Sequence, residues 1–172
     1  ETTVVITDTD TDPDCLANTD CPIAIFRKTG YLIIEIPINQ HNFTNYYQYR
    51  VSEVKLKLNG IQAGSGGNTL VTLQVYSSGP FKLRQRGTSI WHDFISRPLD
   101  RLLEYNIGSE ANPMTPAKLY CEAPATCNNI YHRTPFTTWE FILMSDVNID
   151  NVNSAEITFI GSFQNSETDE IE

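Results

Sequence analysis

One stretch of the sequence decides the fold: Val51-Ser52-Glu53-Val54-Lys55-Leu56-Lys57-Leu58. Apolar and polar residues alternate along it, and a period of two residues is typical of a strand with one buried face. The alternation slips once, near Glu53, which predicts a β-bulge because a bulge inserts one extra residue into a strand. The stretch therefore predicts a bulged strand that covers a hydrophobic core.

Six further segments have the composition of strands: Thr2–Thr7, Tyr31–Ile38, Leu70–Tyr76, Phe81–Arg86, Trp139–Leu143 and Ala155–Phe163. Residues with turn chemistry separate them, as in Gly64-Ser65-Gly66-Gly67-Asn68. Only Ser96–Tyr105, with Leu99, Leu102 and Leu103 at helical spacing, predicts a helical turn or two. Seven or more short strands with little helix predict a β-sandwich or a β-barrel.

The charge of the chain lies at its ends. The 172 residues carry a net charge of −9, but 1–20 hold six acids and 165–172 hold four, in both cases without a base. Residues 21–164 are left with 11 acids and 12 bases. We expect an acidic N-terminal segment with a β-branched strand over 1–20, a β-sandwich domain over 21–164 and an acidic tail over 165–172. This balance argues against nucleic-acid binding, and no apolar run reaches the ~20 residues of a membrane span.

The four cysteines form two pairs with the same spacing, Cys15 with Cys21 and Cys121 with Cys127. The spacing matches neither a zinc knuckle nor a redox motif, so we expect disulfides, with free buried thiols as the alternative and all three connectivities open. Asn42 begins the sequon Asn-Phe-Thr and is a candidate for N-glycosylation. Both features predict an extracellular, secreted protein.

Four carboxylates stand at every second position, in Asp8, Asp10, Asp12 and Asp14. An extended backbone points all four to one side, where a hard cation such as calcium relieves their repulsion. Calcium is thus the one cofactor that the sequence suggests, and a solvated acidic segment is the alternative. A second Asp/Asn cluster over 146–151 begins like an EF-hand loop but lacks its glycine and final glutamate, which favours a polar strand connection.

The order of several short motifs resembles a known family. The motifs are Phe26-Arg27-Lys28-Thr29-Gly30 before Tyr31–Ile38, an aromatic loop over His41–Tyr47, Tyr49–Leu58, Pro135-Phe136, Trp139-Glu140-Phe141 and Ala155–Phe159. This order is similar to the C-terminal β-sandwich of the A components of bacterial Tc toxins. The resemblance implies an all-β, jelly-roll-like antiparallel sandwich with short helical turns. It also implies a module that holds a neighbouring component of a complex and performs no chemistry.

No catalytic motif is present in the sequence. The three histidines lack paired-ligand spacing, and the glycine-rich stretch after Ala63 lacks the setting of a nucleophile elbow. A glycosidase pair among Glu35, Glu53, Asp93 and Glu140 is the alternative, but such residues are normally solvated. We therefore expect a protein that is not an enzyme.

Candidate binding residues are aromatic or basic. Aromatic side chains anchor protein interfaces and stack on sugars, and a stripe of bases attracts an acidic partner. The candidates are Tyr46, Tyr47, Trp91, His92, Lys82, Arg84 and Arg86. Trp139 falls inside a strand and is expected in the core.

Two classes of function stay open. The first is an extracellular module that recognises a protein or a glycan. The second is a structural subunit of an extracellular polymer, in which copies of the chain assemble by strand addition. For the second class, the segment Glu1–Thr7 would pair with the sheet of a neighbour, whereas in the simpler interpretation it pairs within its own domain.

Overall fold

A computed structural model describes residues 2–7, 21–38, 46–77, 79–85, 88–95, 98–107, 117–120 and 133–165. Within these ranges the chain forms one α-helix, α1 (Pro22–Thr29), one 3-10 turn and ten strands. The strands are β1 (Thr2–Thr7), β2 (Tyr31–Glu35), β3 (Tyr46–Asn59), β4 (Leu70–Ser77), β5 (Pro80–Arg84), β6 (Trp91–Ile95), β7 (Leu99–Asn106), β8 (Ala117–Tyr120), β9 (Thr138–Leu143) and β10 (Ser154–Asn165). The prediction of an all-β fold is confirmed.

Eight strands form two four-stranded antiparallel sheets. Sheet A has the order β1-β10-β3-β8, and sheet B has the order β2-β9-β4-β7. The first four strands alternate between the sheets, β9 and β10 are inserted between them, and β7 and β8 are added at the edges. This double-sheet arrangement is that of a jelly roll. Strands β5 and β6 form a separate two-stranded sheet, which we call the hairpin.

The inner faces of the two sheets meet in a single hydrophobic core. Trp139 of sheet B is fully buried, as expected, and its ring lies 5.4 Å from the ring of Phe159 in sheet A. In β3 the register confirms the predicted bulge: Ile160 pairs with Glu53 and Gly161 with Val51, so Ser52 between them has no opposite residue. The bulge keeps apolar residues on the inner face on both sides of the slip.

Helix α1 was missed by sequence reasoning. Pro22 stands at its first turn, and Gly30 ends it with a φ of 72°, which a residue with a Cβ adopts only with strain. Ile23 and Phe26 are buried against the sandwich, which explains why so short a helix is stable. Cys21, at the N-cap, is buried and disulfide-bonded, whereas the other three cysteines lie outside the described residues.

The prediction of a helical turn over Ser96–Tyr105 is wrong. Leu99–Asn106 forms β7, which pairs with β4 along its whole length. Leu99, Leu103 and Tyr105 are buried, whereas Leu102 points outward and is 60% exposed. The buried positions follow a period of two, and pairing with β4 overrides the helical spacing of the leucines.

The first strand pairs within its own chain. All six residues of β1 are paired antiparallel with β10, from Thr2 opposite Phe159 to Thr7 opposite Ser154. Val4 is buried in the core. In the part of the chain that the structure describes, no helix is long and apolar enough to span a membrane.

Candidate functional site

The hairpin brings together four of the predicted binding residues. Its register places Arg84 opposite Trp91, Leu83 opposite His92 and Lys82 opposite Asp93. Residues directly opposite each other in an antiparallel pair share a face, so Lys82, Arg84 and Trp91 lie on one face and His92 on the other. Sequence reasoning had placed the bases and the aromatic residues separately and gave no pairing between them.

The remaining predicted binding and modification sites are not described. Arg86 and Asn42 lie outside the described residues, as do the four aspartates at positions 8, 10, 12 and 14. Tyr46 and Tyr47 begin β3, but their side chains are not described. Binding at these positions, glycosylation of Asn42 and calcium binding therefore stay predictions.

Segment 133–137 fixes one edge of β5. The N–H of Lys82 donates to the carbonyl of Phe136 at 3.1 Å, and the hydroxyl of Thr134 donates to the carbonyl of Lys82 at 2.6 Å. The hydroxyl of Thr137 donates to the carbonyl of Pro80 at 3.2 Å. These bonds satisfy main-chain groups of β5 that the hairpin alone leaves unpaired. The hairpin is therefore attached to the sandwich along one strand.

Aromatic contacts hold the hairpin in place. Trp91 is partly buried and meets Phe136 edge-to-face, with ring centroids 5.1 Å apart and an interplanar angle of 83°. Phe81 is buried, and Phe94 stacks on it with centroids 5.7 Å apart. The ring of Trp91 thus contributes to attachment, which leaves less of it available to stack on a ligand.

The polar side chains of the hairpin are tied to one another. The Nζ atom of Lys82 lies 2.7 Å from Oδ1 of Asp93, and Nε of Arg84 donates to the carbonyl of Thr88 at 2.9 Å. Nε2 of His92 lies 3.1 Å from Oε1 of Gln85. Exposed ion pairs of this kind contribute about 0–1 kcal/mol to stability. Their main effect is to orient the charged groups at the surface.

A fully buried arginine lies where the hairpin leaves the sandwich. Nη1 of Arg133 donates to Oγ of Ser77 at 3.0 Å, and both residues are completely buried. The carbonyl of Arg133 accepts the N–H of Val51 at 2.8 Å, which links the segment to β3. Burial lowers the pKa of Arg133, yet a guanidinium keeps its charge at neutral pH. Sequence reasoning missed Arg133 because nothing around it signals the burial of a charge.

Most of the exposed apolar residues, all except Ile38 and Met144, lie on two surfaces. Among the described residues, nine large hydrophobic side chains are exposed. Three belong to the hairpin or directly precede β6, namely Ile90, Phe94 and Ile95, the last of which is 87% exposed. Four occupy outward positions of sheet B: Tyr31, Ile33, Leu70 and Leu102. Sequence reasoning missed the second group because alternation alone does not tell which apolar residues of a strand face solvent.

The second Asp/Asn cluster lines an open cleft. The cleft has a volume of about 440 Å³ and lies between residues 63–65 and 146–150. Asn148 pairs with Gln62 through two main-chain bonds of 2.9 Å, which fits the expected polar connection. Asp146 and Asp150 are both exposed, and the described residues contain no cluster of three or more potential metal ligands.

No family model matches the chain. The chain is similar to glycerotoxin paralog 1 of Glycera tridactyla, with 29% identity over 140 residues. The match covers 79% of this chain but 11% of that protein, so the chain spans a small part of the length of the curated relative that it matches.

Proposed function

We propose that the chain is an extracellular, non-catalytic β-sandwich module that recognises a protein, and that the hairpin makes the contact. The observation that carries this proposal is the hairpin itself. It adds nothing to the pairing of the two sheets, since β4 and β7 on either side of it pair directly. Yet it is held firmly by segment 133–137 and exposes Ile90, Phe94 and Ile95. Ile95 lies on the same face as Lys82 and Asp93, whereas Phe94 lies on the opposite face. Apolar anchors surrounded by charges are typical of protein interfaces.

The composition of the hairpin favours a protein over a glycan as the partner. Sugar sites use the open faces of aromatic rings, whereas the ring of Trp91 is engaged with Phe136. Two of the three exposed apolar residues, Ile90 and Ile95, are aliphatic and have no ring on which a sugar could stack. The resemblance to the Tc toxin module and the similarity to a protein named as a toxin support recognition of a partner outside the cell.

The arrangement of the carboxylates supports a role without catalysis. Glu53 lies on β3 of sheet A, whereas Glu35 and Glu140 lie on outward positions of sheet B. Asp93 is paired with Lys82 on the hairpin. A glycosidase pair requires two carboxylates about 5–9 Å apart on either side of a bound sugar. Glu53 is on the other sheet from Glu35 and Glu140, and these two share one outward sheet face instead of facing each other across a cleft.

The proposal is tested with arrays of purified extracellular proteins and of glycans. The labelled chain is compared with Ile95→Asp, which places a charge on the most exposed apolar residue of the hairpin. Met144→Asp is the matched control, since Met144 is also exposed but follows the far end of β9 from segment 133–137. We expect a protein ligand whose binding weakens at least about tenfold in Ile95→Asp and not in Met144→Asp. Selection of a sugar, or equal binding by the two variants, would overturn the proposal.

A second candidate function is a subunit that polymerises by strand addition. It is supported by the position of β1, which, among the described strands, lies at the edge of sheet A and pairs with β10 alone. An edge strand of this kind is the element exchanged in strand-swapped assemblies. Deletion of residues 1–7 would then change the mass measured by light scattering, whereas an unchanged mass contradicts this candidate.

A further inference from the structure

The outward positions of sheet B form a continuous surface, and one row across its four strands is apolar at every position except Gln74. Tyr31 is opposite Ile142, which is opposite Gln74, which is opposite Leu102. In the next row Ile33 and Tyr76 flank Glu140. We call these outward positions the acidic face; their full set is Tyr31, Ile33, Glu35, Leu70, Thr72, Gln74, Tyr76, Asp100, Leu102, Glu104, Asn106, Thr138, Glu140 and Ile142.

The charges on the acidic face all have one sign. It carries Glu35, Asp100, Glu104 and Glu140, and none of its positions is a lysine or an arginine. Nε2 of Gln74 donates to the hydroxyl of Tyr76 at 2.8 Å and to Oδ1 of Asp100 at 2.9 Å. The side chains are thus held in place by one another, as in a pre-organised binding surface.

The one-sign charge restricts what can cover this face. A second copy of the same face would bring like charges together, so a symmetric face-to-face dimer is disfavoured. A partner must instead offer apolar side chains together with bases. The hairpin offers such a surface: its described bases are Lys82 and Arg84, with Asp93 as its acid, and Ile90, Phe94 and Ile95 are exposed. In sequence, residues 79–98 hold four bases against one acid.

We infer that the acidic face of one copy binds the hairpin of a second copy. The inference rests on the proposed function, because it uses the hairpin as the contact element and names its partner. The two surfaces differ, so the contact is heterologous: one copy of a pair keeps a free hairpin and the other keeps a free acidic face. Repetition of such a contact gives an open chain of copies, or a ring where the rotation closes.

The first test is the mass of the full 172-residue chain as concentration and salt vary. We expect the average mass from sedimentation and light scattering to rise between about 1 µM and about 500 µM. Raising salt from about 0.02 M to about 0.5 M should weaken the association, since opposite charges contribute to it. A chain that stays monomeric at every concentration in low salt overturns the inference.

The second test uses one variant on each surface. Leu102→Asp charges the acidic face, and Ile95→Asp charges the hairpin; both residues are exposed, and thermal melts check that both variants fold. Each should associate at least about tenfold more weakly with itself, because a buried apolar contact is replaced by a charged side chain that must lose its water. Ser162→Asp, at an exposed position of β10 in sheet A, is the control and should associate as the natural chain does.

Mixing the two variants distinguishes the heterologous contact from any symmetric one. Leu102→Asp keeps an intact hairpin and Ile95→Asp keeps an intact face, so an equal mixture should form dimers and stop there. A symmetric contact damaged in both variants gives no recovery, and that result contradicts the inference.

Three outcomes separate this inference from the proposals above. If the chain is monomeric but the hairpin binds an array protein, the inference fails and the proposed function stands. If association survives both Leu102→Asp and Ile95→Asp but is lost on deletion of residues 1–7, strand addition is the mechanism and the inference fails. If association requires both surfaces and survives the deletion, the inference is supported.

Discussion

The outer faces of the two sheets differ although both cover the same core. On sheet A the outward groups satisfy one another: the hydroxyls of Thr3 and Thr158 lie 2.9 Å apart, and Nζ of Lys57 lies 3.6 Å from Glu156. Nδ2 of Asn59 also donates to Glu156 at 2.9 Å. On sheet B, exposed apolar residues lie among carboxylates, with no base at an outward position.

This difference separates residues that stabilise the fold from residues that are displayed on the surface of the protein. A solvent-facing sheet is expected to carry polar residues of both signs, as sheet A does. The acidic face departs from this pattern without any gain in core packing, because its apolar side chains point away from the core. Exposed apolar side chains grouped on one surface are typical of a surface that contacts a partner.

The largest expected effect tests whether the side chains of the acidic face contribute to the stability of the fold. Trp139→Ala removes a fully buried ring that contacts Phe159 and donates to the carbonyl of Pro135. It should lower the free energy of unfolding by about 3–5 kcal/mol. Leu102→Ala, also in sheet B but outward, should change it by less than about 0.5 kcal/mol. Urea unfolding measures both, and a large loss in Leu102→Ala would show that the acidic face stabilises the monomer.

A smaller effect is expected from Tyr105, on the inner side of sheet B. Its hydroxyl is buried and has no hydrogen-bond partner among the described residues. Tyr105→Phe removes this unsatisfied group and should raise the free energy of unfolding by about 1 kcal/mol. A lower thermal midpoint in the variant would contradict this expectation.

The same residue gives a pH dependence with a defined sign. Burial raises the pKa of Tyr105 in the folded chain above its ordinary value of about 10. Above that pH the unfolded chain has lost a proton that the folded chain keeps, so stability falls as pH rises. Tyr105→Phe should lose less stability than the natural chain between about pH 9 and pH 11. Urea midpoints across this range provide the measurement.

The smallest effect concerns the surface charges and should differ in sign between the sheets. Glu156→Gln on sheet A weakens contacts with Lys57 and Asn59 and should cost about 0.5 kcal/mol. Glu140→Gln on sheet B removes one of several like charges and should gain a few tenths of a kcal/mol at low salt. Thermal midpoints at low and high salt check this, and both differences should shrink as salt rises. If both substitutions changed stability in the same direction, the two sheets would not differ in their surface electrostatics.

Local patterns were sufficient to predict most strands. The bulge near Glu53 was predicted because one extra residue in a strand shifts the apolar–polar alternation by one position. The burial of Trp139 was predicted from its position within a strand. The prediction over Ser96–Tyr105 was wrong because helical and strand spacings coincide for Leu99 and Leu103, and only pairing with β4 distinguishes them. Helix α1 was missed although Pro22 and Gly30 mark its ends.

The candidate site was predicted in part. Lys82, Arg84, Trp91 and His92 were singled out by residue type, and the register of the hairpin then joined them. Arg133 and the acidic face were not predicted, because both depend on which strands are neighbours. Four carboxylates on three separate strands become one surface only when β2, β9, β4 and β7 are side by side.

The attachment of the hairpin has a consequence for how the module can change. Segment 133–137 holds β5 through main-chain groups of Lys82 and Pro80, which most replacement sequences would also possess. Strands β4 and β7 pair with each other on either side of the insertion. The residues of the hairpin that face outward are therefore free to diverge while the sandwich stays constant. Under the proposed function, the sandwich is a scaffold on which changes in the hairpin alter specificity without refolding the core.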